Sequence, residues 1–218
     1  SMLMGLDTNT TQAESIKIQL NASEPTKKQA WKQIIERKIR NQSAVLTKFG
    51  SDGNVLKSLY SNVKSGDADN REGIAAKIYW TKLFGPEFKR YREGDPPNNL
   101  LNYGYSILRA AMARALLGSG LLPNLGIFHR GRYNAFPLAD DMMEPYRPYV
   151  DDIVFSLHKQ GVYDLDKDAK YEILRLLTQD VKIGSVTRPL QIALTTTTAS
   201  FVKYLSGGVK RISLPVIK

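Results

Sequence analysis

The chain of 218 residues contains no cysteine and only two histidines, His129 and His158. The lack of cysteine excludes disulfides, thiolate zinc sites and cysteine nucleophiles, and it is typical of a reducing compartment such as the cytoplasm. Any metal site must therefore rely mainly on carboxylates. Long apolar runs are also missing: none approaches the roughly 18 residues of a membrane span, so we expect no membrane partner.

Positive charge is concentrated towards the two ends of the chain. The formal net charge is +10, and the segment 27–48 holds seven basic residues against one acid. The segment 181–218 holds six basic residues and no acid. This distribution indicates a polyanion-binding surface, although solubility alone would also explain it. We predict nucleic-acid contacts by four of these residues: Lys38, Arg40, Lys210 and Arg211.

Hydrophobic spacing predicts helices almost throughout the chain. Ser23 can cap a long helix with Pro25 in its first turn, and apolar residues then recur at steps close to 3.6. We find no convincing run of alternating strand residues, so the predicted fold class is all-α. The predicted organisation is a junction with a short helix at 1–22, a helical catalytic domain at 23–205 and a basic C-terminal tail at 206–218.

A carboxylate pair, Asp141 and Glu144, is spaced three residues apart on a predicted helix. Their Cβ atoms should lie roughly 5–6 Å apart on one face. Two carboxylates so close repel each other unless a cation lies between them or one is protonated. Asp140, one turn before Glu144, is a further acid that could point the same way. The alternative is a solvated acidic face.

The other candidate ligands are His129 and Glu72. His129 lies in a glycine-rich loop and is followed by Arg130 and Arg132, which suits a phosphate neighbour, although a loop histidine packed on an aromatic ring is the simpler alternative. Glu72 follows Asp69 at the spacing of a capping box, which is a purely structural role. Gly73 costs a helix about 1 kcal/mol, so we expect another backbone or a ligand to approach it.

Together, Glu72, His129, Asp141 and Glu144 form an oxygen-rich set with one nitrogen. Such a set suits Mg²⁺ or Mn²⁺ better than structural zinc. In a basic protein this chemistry is typical of phosphoryl transfer, in which a metal stabilises charge on the reacting phosphate.

The sequence also resembles a known family through a series of ordered motifs. The matching segments are Arg71-Glu-Gly-x-Ala-Ala-x-x-Tyr79-Trp80, Leu83-Phe-Gly85, Asn99-Leu-Leu-Asn-Tyr-Gly-Tyr105, Gly120-Leu-x-Pro-x-Leu-Gly-x-x-His129 and Leu138-Ala-x-Asp-x-Met-Glu-Pro-x-Arg-Pro148. In order and spacing they resemble the CRISPR-associated spacer integrases, the Cas-one family. The start of the chain, including Leu6-Asp7-x-Asn9, resembles members from type II systems.

This resemblance implies a helical catalytic domain whose metal ligands are Glu72, His129 and Glu144, with Asp141 as a nearby catalytic acid. It implies a DNA endonuclease and integrase that uses Mg²⁺ or Mn²⁺ and inserts foreign DNA fragments into a CRISPR repeat by transesterification, for antiviral defence. The implied partners are DNA and a Cas-two protein.

Family members normally begin with a small β-rich domain through which they dimerise. The present sequence opens near the junction after that domain. We therefore expect a C-terminal part of such a protein that keeps its metal pocket. It should be monomeric or weakly associated, whereas the full-length protein should be a homodimer.

Two other functions are weighed against this one. A helical RNase of the HEPN type needs an arginine separated from its histidine by four to six residues, and neither His129 nor His158 has one. A non-catalytic, nucleic-acid-binding helical scaffold would explain the charge but not the ordered motifs around Glu72, His129 and Glu144.

Overall fold

A computed structural model describes residues 11–129 and 131–217 of the chain. In this part of the molecule the helices are α1 (Gln12–Asn21), α2 (Glu24–Lys48), α3 (Lys57–Ser61), α4 (Arg71–Phe84), α5 (Asn98–Gly118), α6 (Pro137–Met143), α7 (Arg147–Lys159), α8 (Lys167–Leu174) and α9 (Leu190–Leu205). Short 3-10 turns lie at Gly53–Leu56, Ser65–Asp67, Glu144–Tyr146 and Arg175–Thr178. Most of the predicted helices are therefore confirmed.

Helix α2 runs through the middle of the fold. Ser23 begins it as predicted, because the Ser23 side chain accepts a hydrogen bond from the backbone N–H of Thr26. Its apolar face is fully buried and packs against α4, α7 and the 3-10 turns at Ser65–Asp67 and Glu144–Tyr146. The buried residues of this face include Trp31, Ile34, Ile35, Ile39, Val45 and Leu46.

Helix α5 forms the second centre of packing. It contacts α6, α7, α8 and α9 through buried leucines and alanines. Between α6 and α7 the chain forms a 3-10 turn at Glu144–Tyr146, since Pro145 and Pro148 cannot donate to the preceding turn of an α-helix. The break sets Glu144 at a corner where α2, α6 and α7 meet.

A small antiparallel sheet corrects the prediction of an all-α fold. Its strands β1 (Asp180–Ile183), β2 (Val186–Pro189) and β3 (Pro215–Val216) lie in the order β2-β1-β3. Val181 pairs with Arg188, and Ile183 pairs with both Val186 and Pro215. Val181 and Ile183 alternate and face the core, and Gly184, with a φ of 59°, makes the tight turn to β2. The fold is thus mostly helical with one small sheet.

The segment after Gly207 returns to the body of the molecule. Asn41 of α2 donates to the carbonyl of Pro215 and accepts from the backbone of Ile217, while Gln33 accepts from the backbone N–H of Ile212. These contacts and strand β3 hold residues 211–217 against α2, where the sequence suggested a released tail. Within the described residues, none of the helices combines the length and apolar character that crossing a bilayer would need.

Candidate metal centre

Glu72 lies in the first turn of α4, and the cap of this helix differs from the predicted capping box. The carboxylate of Asp67 accepts from the backbone N–H groups of Arg71 and Glu72 at 2.8 and 3.0 Å. Asn70, at a φ of 50°, accepts from the backbone of Gly73. Asp69 instead pairs with Lys64, so the capping-box interpretation is wrong.

The same cap explains Gly73. A Cβ at this position would come within 2.7 Å of the Asn70 side chain. The glycine therefore makes room for the cap residue of its own helix, and the expected approach of a ligand or a distant backbone is not needed to account for it.

Asp141 is fully buried and organises the loop that carries His129. Its Oδ2 accepts from the backbone N–H groups of Ile127 and Phe128 at 2.7 and 3.0 Å. Its Oδ1 accepts from the backbone N–H of His129 at 3.1 Å and lies 2.6 Å from Nδ1 of the same ring. The loop approaches closely because Gly126 has no side chain: a Cβ there would collide with the His129 carbonyl.

The contact with Asp141 fixes the role of the His129 ring. Because Nδ1 faces a carboxylate, it carries a proton, and Nε2 is the nitrogen left for a metal ion. The hydrogen bond and negative charge of Asp141 raise the pKa of His129 despite its partial burial. Trp31 and Phe128 stack on each other with centroids 4.1 Å apart, and both meet the His129 ring edge-on. Asp141 thus serves as a positioning residue for His129.

Glu144 is buried with two cations beside it. Its Oε1 lies 2.8 Å from Arg147 Nε, and its Oε2 lies 2.6 Å from Lys38 Nζ. Burial alone would raise the pKa of Glu144, but the charges of Arg147 and Lys38 outweigh burial and lower it, so the carboxylate stays ionised. The arginine itself lies over the ring of Tyr105, 4.6 Å from its centroid.

Lys38 joins the two candidate glutamate ligands. Its Nζ lies 2.5 Å from Glu72 Oε1 as well as 2.6 Å from Glu144 Oε2, and the residue is only 8% exposed. The prediction that Lys38 belongs to an exposed phosphate-binding face does not match this position. On α2, Lys38 lies four residues after Ile34 and three after Ile35, which places it on the buried side of the helix.

The structure therefore brings Glu72 and Glu144 to the same Lys38 ammonium and sets His129 against Asp141, near enough for the charges of both glutamates to help raise the pKa of His129. Within residues 11–129 and 131–217, no three carboxylate or imidazole groups form a ready-made metal cage. The ammonium of Lys38 contacts both glutamates. Asp140 does not contribute, because it forms a pair of hydrogen bonds with Arg109 and another with Asn134.

The donor groups nevertheless suit a divalent cation. Two carboxylates and an imidazole nitrogen match the oxygen-rich preference of Mg²⁺ and Mn²⁺. Glu144 Oε2 is buried, and Lys38 Nζ contacts it at 2.6 Å. A buried, ionised oxygen of this kind retains lone pairs that a metal ion could use.

Comparisons with known proteins decide the family. The family model described as CRISPR associated protein Cas1 matches residues 2–182. The chain belongs to the Cas1 family. It is 44% identical over 176 residues to a CRISPR-associated endonuclease Cas1 of Neisseria meningitidis serogroup C (strain 8013), and this match covers 79% of the chain and 58% of that relative.

A more distant relative agrees with this assignment, and solved structures share the fold. A CRISPR-associated endonuclease Cas1 of Francisella tularensis subsp. novicida (strain U112) is 34% identical over 149 residues, or 58% of the chain and 47% of the relative. The fold matches a casposase bound to integration product with a TM-score of 0.79 at 21% identity, over 95% of this chain and 73% of that one. It also matches a Cas1 protein from Thermotoga maritima with a TM-score of 0.70 at 17% identity, over 90% of this chain and 69% of that one. The chain spans about half the length of these two curated relatives.

The remaining basic candidates of this Cas1 family member lie on its surface in two places. Arg40, Lys210 and Arg211 are exposed and line a cavity of about 260 Å³ between α2 and the C-terminal segment, together with further cations of α2. Arg132 is exposed and lines a separate cavity of about 600 Å³ that reaches His129. Arg130 lies outside the described residues.

A buried network behind the candidate metal centre was not found from the sequence. Tyr79 and Tyr105 both donate to the carboxylate of Asp151, which is 1% exposed. Burial raises the pKa of Asp151 to about 7, although the two tyrosines and Arg147 oppose the shift. The spacing in the sequence could have indicated it. Asp151 follows Arg147 by four residues and Glu144 by seven, which is the spacing of residues on one helix face.

Proposed function

We propose that this chain carries the catalytic site of a metal-dependent DNA endonuclease and integrase, which inserts foreign DNA into a CRISPR array by transesterification. The observation that carries the proposal is the meeting of Glu72 and Glu144 beside a His129 ring oriented by Asp141, in a chain of the Cas1 family. The relatives in that family are described as CRISPR-associated endonucleases.

In this proposal Glu72, His129 and Glu144 hold Mg²⁺ or Mn²⁺. The bound ion would stabilise negative charge on the reacting phosphate and help to activate the attacking oxygen. Asp141 keeps the His129 ring in one orientation, and Arg147 holds the carboxylate of Glu144 in place.

The cavity beside His129 would receive the DNA backbone. Arg132 and Lys27 line this cavity and are the cations best placed to contact the reacting phosphate. Their loss should therefore lower the rate of strand transfer more than the affinity for DNA.

The second basic surface would bind DNA at a distance from the reaction. Arg40, Lys210 and Arg211 lie on one exposed face and can contact phosphates without reading bases. A Cas2 protein is the proposed protein partner, because chains of a Cas6-RT-Cas1–Cas2 complex and of a partial one share this fold with TM-scores of 0.72 and 0.73.

Strand transfer on a branched DNA substrate tests the proposal. In Mn²⁺, Glu72→Ala and His129→Ala should each abolish the transferred product, while circular dichroism shows that both variants remain folded. Glu87→Ala removes an exposed carboxylate outside the site and should keep wild-type activity. Full activity of either site variant would overturn the assignment.

The alternative function is a non-catalytic scaffold that binds nucleic acid. It shares the basic surfaces with the proposed enzyme, so DNA binding does not separate the two. A scaffold would bind the branched DNA and yield no metal-dependent product in the wild-type protein.

A further inference from the structure

The position of Lys38 carries an inference about how the metal centre is controlled. The ammonium contacts both glutamates, 2.5 Å from Glu72 Oε1 and 2.6 Å from Glu144 Oε2. The oxygens it contacts are therefore no further apart than these two contacts taken together. An ion shared by the two carboxylates would bind these same two oxygens.

A divalent ion and the ammonium need the same oxygens. Mg²⁺ binds carboxylate oxygens at about 2.0–2.1 Å, which is closer than an ammonium hydrogen bond. The two cations would also repel each other strongly in a site where Glu144 is 3% exposed and little water screens them. Both cannot lie between Glu72 and Glu144 at once.

We propose that Lys38 is a built-in competitor of the catalytic metal: its ammonium must leave the two glutamates before a divalent ion binds, and the cost of that movement sets the metal affinity. The inference rests on the proposed metal site and adds a residue that limits its occupancy. Lysine is suited to this task, because its ammonium is carried on a flexible four-carbon chain that can turn away without moving the helix.

The ion pair also has a structural benefit. Glu72 and Glu144 are two negative groups held close together, and Lys38 offsets their repulsion. Removing the ammonium should therefore destabilise the metal-free protein and favour the metal-bound protein. A purely structural lysine would lower stability without strengthening metal binding.

Lys38→Met tests this distinction, since methionine keeps the length of the side chain without its charge. Glu144 would still lie 2.8 Å from Arg147, and Glu72 would still be partly exposed to water. We therefore expect the variant to fold. We expect a lower melting temperature in EDTA. Calorimetric titration with Mn²⁺ should show at least about tenfold tighter binding than in the wild type.

Lys48→Met is the matched control. Lys48 lies on the same helix and contacts Asp152 at 2.6 and 2.7 Å, away from the two glutamates. The control loses the same charge and an ion pair with one buried carboxylate, and it should bind Mn²⁺ with wild-type affinity. Equal gains in both variants, or unchanged or weaker binding in Lys38→Met, would overturn the inference.

A labelling experiment on the wild-type protein does not depend on the folding of any variant. Lysines are acetylated with a succinimidyl ester, with and without saturating Mn²⁺, and the modified peptides are quantified by mass spectrometry. Labelling of buried Lys38 should rise when Mn²⁺ is present, whereas labelling of Lys48 should not change. Equal labelling of Lys38 under both conditions would contradict the proposed movement.

The outcomes also separate this inference from the proposed function. If the wild type binds Mn²⁺ but Lys38→Met binds it no more tightly, only the role of Lys38 is lost. If neither protein binds Mn²⁺, both the metal site and the inference fail. Binding seen only in Lys38→Met would support the competition in its strongest form.

Discussion

Asp141→Asn should weaken both the loop that carries His129 and the affinity of the site for a metal ion. In the structure the two oxygens of Asp141 together accept three backbone N–H groups and face the imidazole Nδ1. An asparagine has one oxygen, so it can keep the partners of Oδ1 or those of Oδ2, but not both sets. The amide nitrogen of the asparagine is a hydrogen-bond donor, and it would face backbone N–H groups or the imidazole Nδ1–H, which are also donors.

The expected loss follows from the bonds that remain unmade. A hydrogen bond to a charged group contributes roughly 1.5–3 kcal/mol, so losing two of the four should cost about 3–6 kcal/mol. That is a substantial part of the 5–15 kcal/mol that stabilises a typical domain. Because the partner that orients a ligating histidine is also lost, Mn²⁺ affinity should fall about 10- to 100-fold.

Urea denaturation and Mn²⁺ titration measure these two effects. Asp141 raises the pKa of His129, so the stabilisation from this pair is present at low pH and is lost as the pH rises through the raised pKa. The stability deficit of Asp141→Asn should therefore be larger at about pH 6 than at about pH 9.

Asp140→Asn serves as the control, because Asp140 is the adjacent acid and bonds to Arg109 and Asn134 instead of the loop. It should lose some stability and keep its metal affinity. The reasoning is refuted if Asp141→Asn unfolds at the wild-type urea concentration or binds Mn²⁺ as tightly as the wild type.

Three further predictions follow from other parts of the structure. Asp151→Asn should remove a pH dependence of the free energy of unfolding. Because the pKa of Asp151 is about 7 in the folded protein, the wild type should lose up to about 4 kcal/mol relative to this variant between about pH 4 and pH 7. Urea denaturation measures this loss, and parallel pH profiles of the two proteins would contradict it. Gly126→Ala should destabilise the protein by about 1–3 kcal/mol, because the new Cβ meets the His129 carbonyl; an unchanged melting temperature would show that the loop yields freely. Arg40→Ala and Arg211→Ala should each reduce the slope of log affinity for duplex DNA against log salt concentration by about 0.9, measured by fluorescence anisotropy. An unaltered slope would show that the exposed face with Arg40 and Arg211 does not contact DNA.

The sequence predicted the long helices well because their signals are local. The Ser23 cap, the 3.6-residue spacing of α2 and the prolines at 145 and 148 each act within a few residues of where they occur. The hairpin of β1 and β2 was missed because its alternation covers only Val181 and Ile183 before the turn. Strand β3 depends on a contact with a segment about thirty residues earlier, which no local pattern reveals.

The candidate ligands were predicted from their chemistry and from family motifs, and the contacts around them required the fold. Lys38 was assigned to the surface because it lies in a run of cations, yet the spacing from Ile34 and Ile35 already placed it on the apolar face of α2. The sequence could not predict which of Asp140 and Asp141 contacts His129. Adjacent acids in sequence point in different directions on a helix, and only the position of the loop decides which one faces His129.

The most direct measurement of the central claim is anomalous diffraction from a crystal of this chain soaked in Mn²⁺. The proposed metal centre predicts one strong anomalous peak bonded to Glu72, Glu144 and the Nε2 of His129, with metal–ligand distances of about 2.0–2.3 Å and the ammonium of Lys38 turned away. A peak bonded elsewhere, or a soaked crystal in which Lys38 still joins the two glutamates and no peak lies beside them, would contradict it.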